Sequence, residues 1–432
     1  MVSQSLSKNQ IRKLGDELRT ISGKPSDDIL YKLQDYRTSH KDSLADIFKI
    51  LYESAKNTRP DSITTYRIKR IDSILNKLKR HPGMELDRMW DIAGCRCILK
   101  YTNDVYKLFN KIKSQFFVRK INDYYKEISE SGYTSLHLYV SKDEKDSRII
   151  EIQLRSIESH NWATFVEIID FVYDKKIKEG QPDQDFMRFH LLLSRIDKLQ
   201  FNEKSEIIEL EMKYDIYSRL RSIFVRNYLE VRKKWLEIQD YKKKCFFIIE
   251  TKLDSPPIID SFLNFTDAEE EYFKRFRKNQ NANILLTCVP TSNFEYISIA
   301  YSNYILTMHA FLDDYLGIIS SIAIESMKMK RVIRFFKYYK KYINTIFTHS
   351  EDVNKENDAI VTYLHTHKNN KEVRYWKEDF RKRYQLRQEK IIKSSKEIQK
   401  SYPKDGLKKL LFDLSFFRIR QIIKKRSRNE NN

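Results

Sequence analysis

Between Arg67 and Arg155 the chain sets out two carboxylates, a series of cations and a tyrosine beside a glycine. Asp91 opens the run Asp91-Ile92-Ala93-Gly94-Cys95-Arg96, and Glu151 lies in Ile150-Glu151-Ile152-Gln153-Leu154-Arg155. Upstream stand Arg67-Ile68-Lys69, Ser73 and Lys77; between the carboxylates come Asp123-Tyr124 and Gly132-Tyr133-Thr134-Ser135-Leu136-His137. Carboxylates can hold a divalent cation and cations can neutralise phosphates. Glycine lets the backbone approach a ligand, and the ring after it can stack on a base. The set suits a magnesium-assisted transfer of phosphate between nucleotides. Each piece alone is bland, because charged helix faces are commonly solvated and half-exposed strands are ordinary.

The elements that must carry these groups are legible in outline. Alternation puts Glu151, Gln153 and Arg155 on one face of a strand and Ile150, Ile152 and Leu154 on the other. Ile92–Leu99 reads as β, Asn103–Phe116 as a helix, and Phe117–Ile121 as a short strand. Ser135–Ser141 and Arg148–Leu154 read as neighbouring strands across the charged turn Lys142–Ser147. Asn161–Lys178 reads as a helix. Residues 9–56 are helical by the spacing of Ile11, Leu14, Leu18 and Ile21, with a helix-start signal in Lys24-Pro25-Ser26-Asp27-Asp28. Ser62–Arg80 reads as a further helix that would present Arg67, Ser73 and Lys77 at roughly helical spacing, ended by His81-Pro82-Gly83. The expected class is α+β, a mixed sheet flanked by helices, followed by a helical and small α/β accessory region.

Gly180-Gln181-Pro182-Asp183 marks a boundary, after which Phe186 to about Asp240 reads as one or two long helices rich in i,i+4 charge pairs. Cys245–Glu250, Asp267–Arg277 and Ile284–Val289 suggest a second small α/β unit, leading to Phe294-Glu295-Tyr296, Ala300–Tyr304 and Phe311. Four segments result: 1–50 as N-terminal helices, 51–180 as the chemical domain, 181–320 as the accessory region and 321–432 as a basic, aromatic helical region. In the last, Phe335, Phe336, Tyr338, Tyr339 and Tyr342 alternate with lysines and arginines across Val332–Ile346, and residues 371–432 hold 20 Lys/Arg against 8 Asp/Glu.

The 432 residues are 41% apolar and 13% aromatic, ample for packed cores and unlike a disordered chain. The formal charge of +21 favours polyanionic partners without naming one. Cys95 and Cys97 alternate within the apolar strand and read as small buried hydrophobes. No N-terminal apolar core suggests a signal peptide and no run is long enough to span a bilayer, so a cytoplasmic protein is expected.

The four blocks resemble the synthetase domain of the RelA/SpoT family, the alarmone synthetases, over roughly residues 50–180. The resemblance implies a nucleotidyltransferase-like fold and transfer of the β,γ-pyrophosphoryl group of ATP to the 3′-hydroxyl of GDP or GTP. It implies Asp91 and Glu151 as catalytic residues and Mg2+ ligands, Glu151 also deprotonating the acceptor. Arg67, Lys69, Ser73, Lys77 and Arg96 would bind ATP. Gly132, Tyr133, His137, Gln153 and Arg155 would bind the acceptor, Tyr133 stacking on guanine. Two departures concern the acceptor: the family's Pro-Lys before the glycine is Ile128-Ser129 here, and Thr134 follows the tyrosine where arginine or glutamine is common. Lys126, in the same loop, is the candidate replacement for the missing lysine. Those departures and the basic tail keep open a toxin that modifies the 3′ end of tRNA, with RNA contact through the C-terminal region. A third reading is a catalytically retired RNA- or partner-binding protein. No hydrolase half is expected, because no His-Asp pair with metal-ligand spacing precedes these blocks.

Overall fold

Side chains that alternate in polarity form the centre of the structure, and helices cover them on the apolar side. The computed structural model describes residues 6–23, 25–127, 132–173, 183–220, 245–252, 255–278, 283–288 and 309–329, with single positions and pairs beyond (337, 338, 341, 362, 389, 393, 400, 406, 409, 410, 414 and 417). The chain divides into two compact units, Met1–Gln184 with Glu230–Thr307, and Asp185–Leu229 with Met308–Asn432.

The first unit begins with α1 (Lys8–Thr20), α2 (Asp27–Thr38) and α3 (Lys41–Thr58). Ser7 and Gln10 close a capping box on α1, and Ser26 caps α2, so the start signal read around Asp27 is a true one. Strand β1 (Ile63–Ile68) follows, then α4 (Ile71–Arg80), β2 (Ala93–Leu99), α5 (Thr102–Ile112), β3 (Phe117–Asp123), β4 (Leu136–Ser141), β5 (Ile150–Ser156) and α6 (Ile157–Tyr173). The single helix expected over Ser62–Arg80 is therefore a strand and a shorter helix. The β-branched run Ile63-Thr64-Thr65 favours extended backbone, and β1 is buried at every position but Arg67 because it lies between two other strands.

Residues 245–288 do not form an α/β unit of their own. β6 (Phe246–Lys252), β7 (Ser255–Phe262) and β8 (Asn283–Cys288), with α9 (Phe265–Lys278), continue the same sheet, whose strand order is β3-β4-β5-β2-β1-β8-β6-β7. β8 pairs antiparallel with β1 through Thr64↔Cys288, Thr65↔Thr287 and Tyr66↔Leu286. Pro256 and Pro257 lie in β7, an outer strand, where a missing N–H costs no ladder bond to a further neighbour. β2 and β5 run parallel, and every other pairing is antiparallel, so the mixed α+β architecture holds with a larger sheet than the pattern suggested.

One core fills the apolar face: Cys95, Cys97 and Leu99 from β2, Ile150, Ile152 and Leu154 from β5, and Leu136, Leu138 and Val140 from β4. Phe48 and Leu51 of α3, Leu108 of α5, and Tyr272 and Phe276 of α9 pack on it. Cys95 and Cys97 are 2% and 0% exposed, as small hydrophobes would be. Arg37, fully buried in α2, donates from Nε to the carbonyl of Lys69 at 2.9 Å and lies 4.4 Å over the Phe276 ring, which fixes the β1–α4 turn. That turn aims the cations described below.

In the second unit α7 (Gln184–Ser194) and α8 (Phe201–Tyr214) occupy the start of the stretch expected to be helical after Phe186, whose residues 221–240 lie outside the described residues, and α10 (His309–Lys328) lies beside α8. The chain turns through a short 3-10 segment at Ile196–Lys198, and Gln200 caps α8 with Glu203. The boundary tripeptide Gly180–Pro182, the Phe294–Tyr304 segment and most of Val332–Ile346 lie outside the described residues. Among the described residues no helix is long and apolar enough to cross a membrane.

Candidate active site

The solvent-facing side of the sheet is built rung by rung. In an antiparallel or parallel pair, residues in register point to the same face. One rung runs Arg67–Gly94–Glu151–Tyr139 across β1, β2, β5 and β4, and the next runs Thr65–Arg96–Gln153–His137. Gly94 is the gap in the first rung. A Cβ there would stand 3.0 Å from the Glu151 carbonyl oxygen and 3.8 Å from its Oε2, so a side chain would press on the β5 backbone and reach the carboxylate only at ordinary contact distance.

Asp91 sits just before β2 and is clamped by two lysines. Lys69 Nζ lies 2.6 Å from Oδ2 and Lys77 Nζ lies 2.9 Å from Oδ1. Burial opposes the charge on Asp91 and Glu151 adds repulsion, but the two lysines prevail and hold its pKa below the usual range. Burial lowers the pKa of Lys69, and Lys77 and Arg67 add to that effect against the attraction of Asp91. Ser73 is half-buried one helical turn before Lys77 on α4, on the same face.

Glu151 lies in a second network. Its Oε1 accepts from Tyr139 Oη at 3.1 Å and faces His137 Nδ1 at 3.0 Å, while Oε2 accepts from Gln153 Nε2 at 2.8 Å. Burial again favours the neutral acid, yet His137, Gln153 and Lys69 bring the carboxyl down to about 2. At neutral pH it is an anion with little tendency to hold a proton. Burial works against protonation of His137, but Glu151 beside it and the charge of Tyr133 raise its pKa. Gln153 also accepts from Arg96 Nε at 3.2 Å, which ties that arginine to this network.

Tyr133 closes the chain of contacts. Gly132 before it has φ +81°, a left-handed conformation that favours glycine. The Tyr133 hydroxyl shares a 2.8 Å hydrogen bond with His137 Nε2 and accepts from Arg155 Nη2 at 2.6 Å. Burial would raise its pKa, but Arg155 and His137 lower it to about 8. Its ring is flanked by Tyr124 at 5.6 Å, Trp162 at 6.3 Å and the Arg155 guanidinium at 5.1 Å. Arg155 itself is 3% exposed, and its Nε and Nη1 have no hydrogen-bond partner among the described residues. A buried guanidinium left that way costs several kcal/mol, on the order of the penalty for an unpaired buried charge, unless an anion satisfies it.

Of the expected positions, Arg67, Arg96, His137, Glu151, Gln153 and Arg155 thus stand on one sheet face, Lys69, Ser73 and Lys77 on the turn and helix that follow β1, and Asp91, Gly132 and Tyr133 on the segments leading into β2 and β4. Lys126 does not join them. Its ammonium is 3.6 Å from Asp123 and 5.8 Å from the Tyr106 ring, with 74% of the side chain exposed. Asp123 anchors that loop through Tyr106, whose hydroxyl is 3.1 Å from both carboxylate oxygens, so Lys126 is drawn to its own loop instead of inward. Ile128 and Ser129 lie outside the described residues. The structure adds Tyr139, Trp90 and Trp162, none of them picked out by motif, and sets Tyr124 of the Asp123-Tyr124 block beside Tyr133. Strand alternation from His137 pointed to Tyr139, and Trp90 adjoins Asp91.

The donor set fits a hard cation: two carboxylates sense each other's charge, and among the described residues no thiol or second imidazole contacts them. Magnesium usually takes one or two carboxylates and completes its shell with water and substrate phosphates.

Two carboxylates close enough to sense each other's charge, lysines on Asp91, and a tyrosine after a left-handed glycine make an arrangement able to bind phosphates and a divalent cation. Residues 66–178 match the family described as "Region found in RelA / SpoT proteins". The GTP pyrophosphokinase YjbM of Bacillus subtilis (strain 168) is 29% identical over 179 residues, covering 38% of this chain and 82% of that protein. YwaC, a second GTP pyrophosphokinase of the same organism, is 27% identical over 183 residues, covering 39% and 85%. Among solved structures, small alarmone synthetase 1 of Bacillus subtilis bound to its product pppGpp is 27% identical, covers 35% of this chain and 80% of that one, and has a TM-score of 0.29.

Proposed function

We propose that the first unit is an ATP-dependent pyrophosphotransferase that moves the β,γ-pyrophosphoryl group of ATP to the 3′-hydroxyl of GDP or GTP, making a (p)ppGpp-type product. The observation that carries this reading is the proximity of Asp91 and Glu151, with Lys69 and Lys77 on one side and the Arg155–Tyr133–His137 cluster on the other. Two anionic substrates need two cationic cradles, and the carboxylates lie between them. Two relatives that overlap this region are named GTP pyrophosphokinases, which fits the same chemistry.

In this reading Asp91 and Glu151 would hold Mg2+, which when bound neutralises the triphosphate and polarises the transferring group. Arg67, exposed at the end of β1, meets the adenine or its phosphates, and Lys69, Lys77, Ser73 and Arg96 hold the phosphate chain. The lysines exchange Asp91 for phosphate oxygens as ATP enters. Glu151, ionised throughout, accepts the hydrogen bond of the 3′-hydroxyl and aims its oxygen in line. The unpaired nitrogens of Arg155 take an acceptor phosphate, and Tyr133 supports the guanine.

The test is incubation of the full chain with γ-labelled ATP and Mg2+, offering GDP, GTP and tRNA in separate reactions. Label entering guanine nucleotides is the expected result. Label entering only tRNA would keep the donor half and reassign the acceptor, and no transfer to any of the three would overturn the proposal.

A further inference from the structure

Tyr139 Oη donates to Oε1 of Glu151 at 3.1 Å and Gln153 Nε2 donates to Oε2 at 2.8 Å. His137 Nδ1 lies 3.0 Å from Oε1 as an ion-pair contact without hydrogen-bond alignment, so it crowds that oxygen while Tyr139 alone among the described residues hydrogen-bonds it. Oε2 is also the oxygen beside Gly94, where no side chain blocks approach. The Tyr139 ring stands 5.8 Å from Trp90, the residue before Asp91, with their planes tilted by 55°. Tyr139 therefore touches one carboxylate through its hydroxyl and the neighbour of the other through its ring.

We propose that Tyr139 is a positioning residue: with His137 it occupies Oε1 and, braced on Trp90, turns Oε2 of Glu151 toward Asp91 as the ligating oxygen. The terminal torsion of a glutamate is broad and soft, so its plane is set by whatever donors surround it. With the phenol gone, Oε1 would lose its hydrogen bond, and the carboxylate could rotate out of the plane that faces Asp91. This inference rests on the pyrophosphotransferase reading, but its primary readout is cation binding, which does not need turnover.

The experiment uses the full chain and the variants Tyr139→Phe and Tyr139→Leu. Mn2+ binding is followed by electron paramagnetic resonance with a non-hydrolysable ATP analogue present, beside kcat, the KM for ATP and the thermal midpoint. Tyr139→Phe keeps the ring against Trp90 and removes only the hydroxyl. It is expected to weaken Mn2+ binding about tenfold and lower kcat by a similar factor, in line with loss of a charge-assisted bond. The KM for ATP should change less than about twofold and the thermal midpoint should stay unchanged. Tyr139→Leu, which also loses the brace, should be weaker still in Mn2+ binding. A Phe variant that binds Mn2+ as the parent does would reduce Tyr139 to packing and overturn the proposal, as would a parent chain that binds no Mn2+. Tight Mn2+ binding by the parent with the expected loss in Tyr139→Phe, but no transfer to any acceptor, would uphold the positioning role and sink the synthetase reading instead.

Discussion

Two buried glutamates in separate units show what separates a site from a structural ion pair. Glu211, on α8, is 0% exposed; its Oε1 is 2.7 Å from Lys341 Nζ, its Oε2 accepts from Tyr315 Oη at 2.8 Å, and both oxygens face the Tyr217 amide at 3.1–3.2 Å. Glu151 likewise has a cation-forming partner and a tyrosine hydroxyl. Burial raises the pKa of Glu211 in spite of Lys341, whereas Glu151 is lowered although it too is buried. Glu211 spends every lone pair on its own fold. Glu151 accepts one hydrogen bond on each oxygen and keeps lone pairs to spare, and the charge of a second carboxylate, Asp91, is felt beside it. Burial and pairing alone therefore do not mark chemistry; an unfilled valence beside like charge does.

The sharpest way to break this contrast is to remove one charge from each site. Glu151→Gln should cut transfer by more than about 1,000-fold while an ATP analogue still binds, since charge stabilisation in the transition state is lost. Glu211→Gln should leave turnover per folded molecule unchanged, and equal losses in the two variants would erase the distinction. Next in size, Arg155→Met should raise the KM for the acceptor roughly 10- to 100-fold with little change for ATP, as expected for one charge-assisted contact. An unchanged acceptor KM would return Arg155 to a packing role. Glu211→Gln should also cost roughly 1–3 kcal/mol of stability in chemical denaturation, because Lys341 keeps Asp215 at 2.8 Å as a second partner.

The smallest effect is a difference in pH dependence. Glu151, with its pKa lowered from 4.5 to about 2, lends stability that is present above 4.5 and lost as pH falls toward 2. Glu211, with a raised pKa, lends stability that is present below 4.5 and lost as pH rises through its folded value. Thermal midpoints of each Gln variant against the parent should therefore diverge with opposite slopes on the two sides of pH 4.5. Parallel slopes would show that the two environments are not opposed.

Much of this contrast could be read in the sequence because the chemistry is local. Glu151, Gln153 and Arg155 announce a polar face by alternation, and Gly132-Tyr133 announces a tight turn. Arg67 was misplaced on a helix because Lys69, Ser73 and Lys77, on the turn and helix beyond it, continue its rhythm past the end of β1. Tyr139 and Trp90 carry no motif; their role arises from register across β4, β5 and β2. Pairing of β8 with β1 could not be found in local pattern, since it depends on segments far apart in the chain. β7 was hidden by its two prolines, which an outer strand tolerates and an inner one does not. Lys126 was expected to point inward by proximity in sequence, but Asp123 is nearer.

The late partner of β1 carries a temporal consequence. Thr287 bonds to the carbonyl of Thr64 across 223 residues, so the strand that bears Arg67 has one open side until that segment is made. At a translation speed of about 5–20 residues per second, the nascent sheet waits roughly 10 to 45 s for it. During that interval an unpaired strand faces the ribosome exit and its chaperones, and the edge that bears Arg67 has yet to gain its backing. Completion of the sheet is then timed by the second half of the chain's own synthesis.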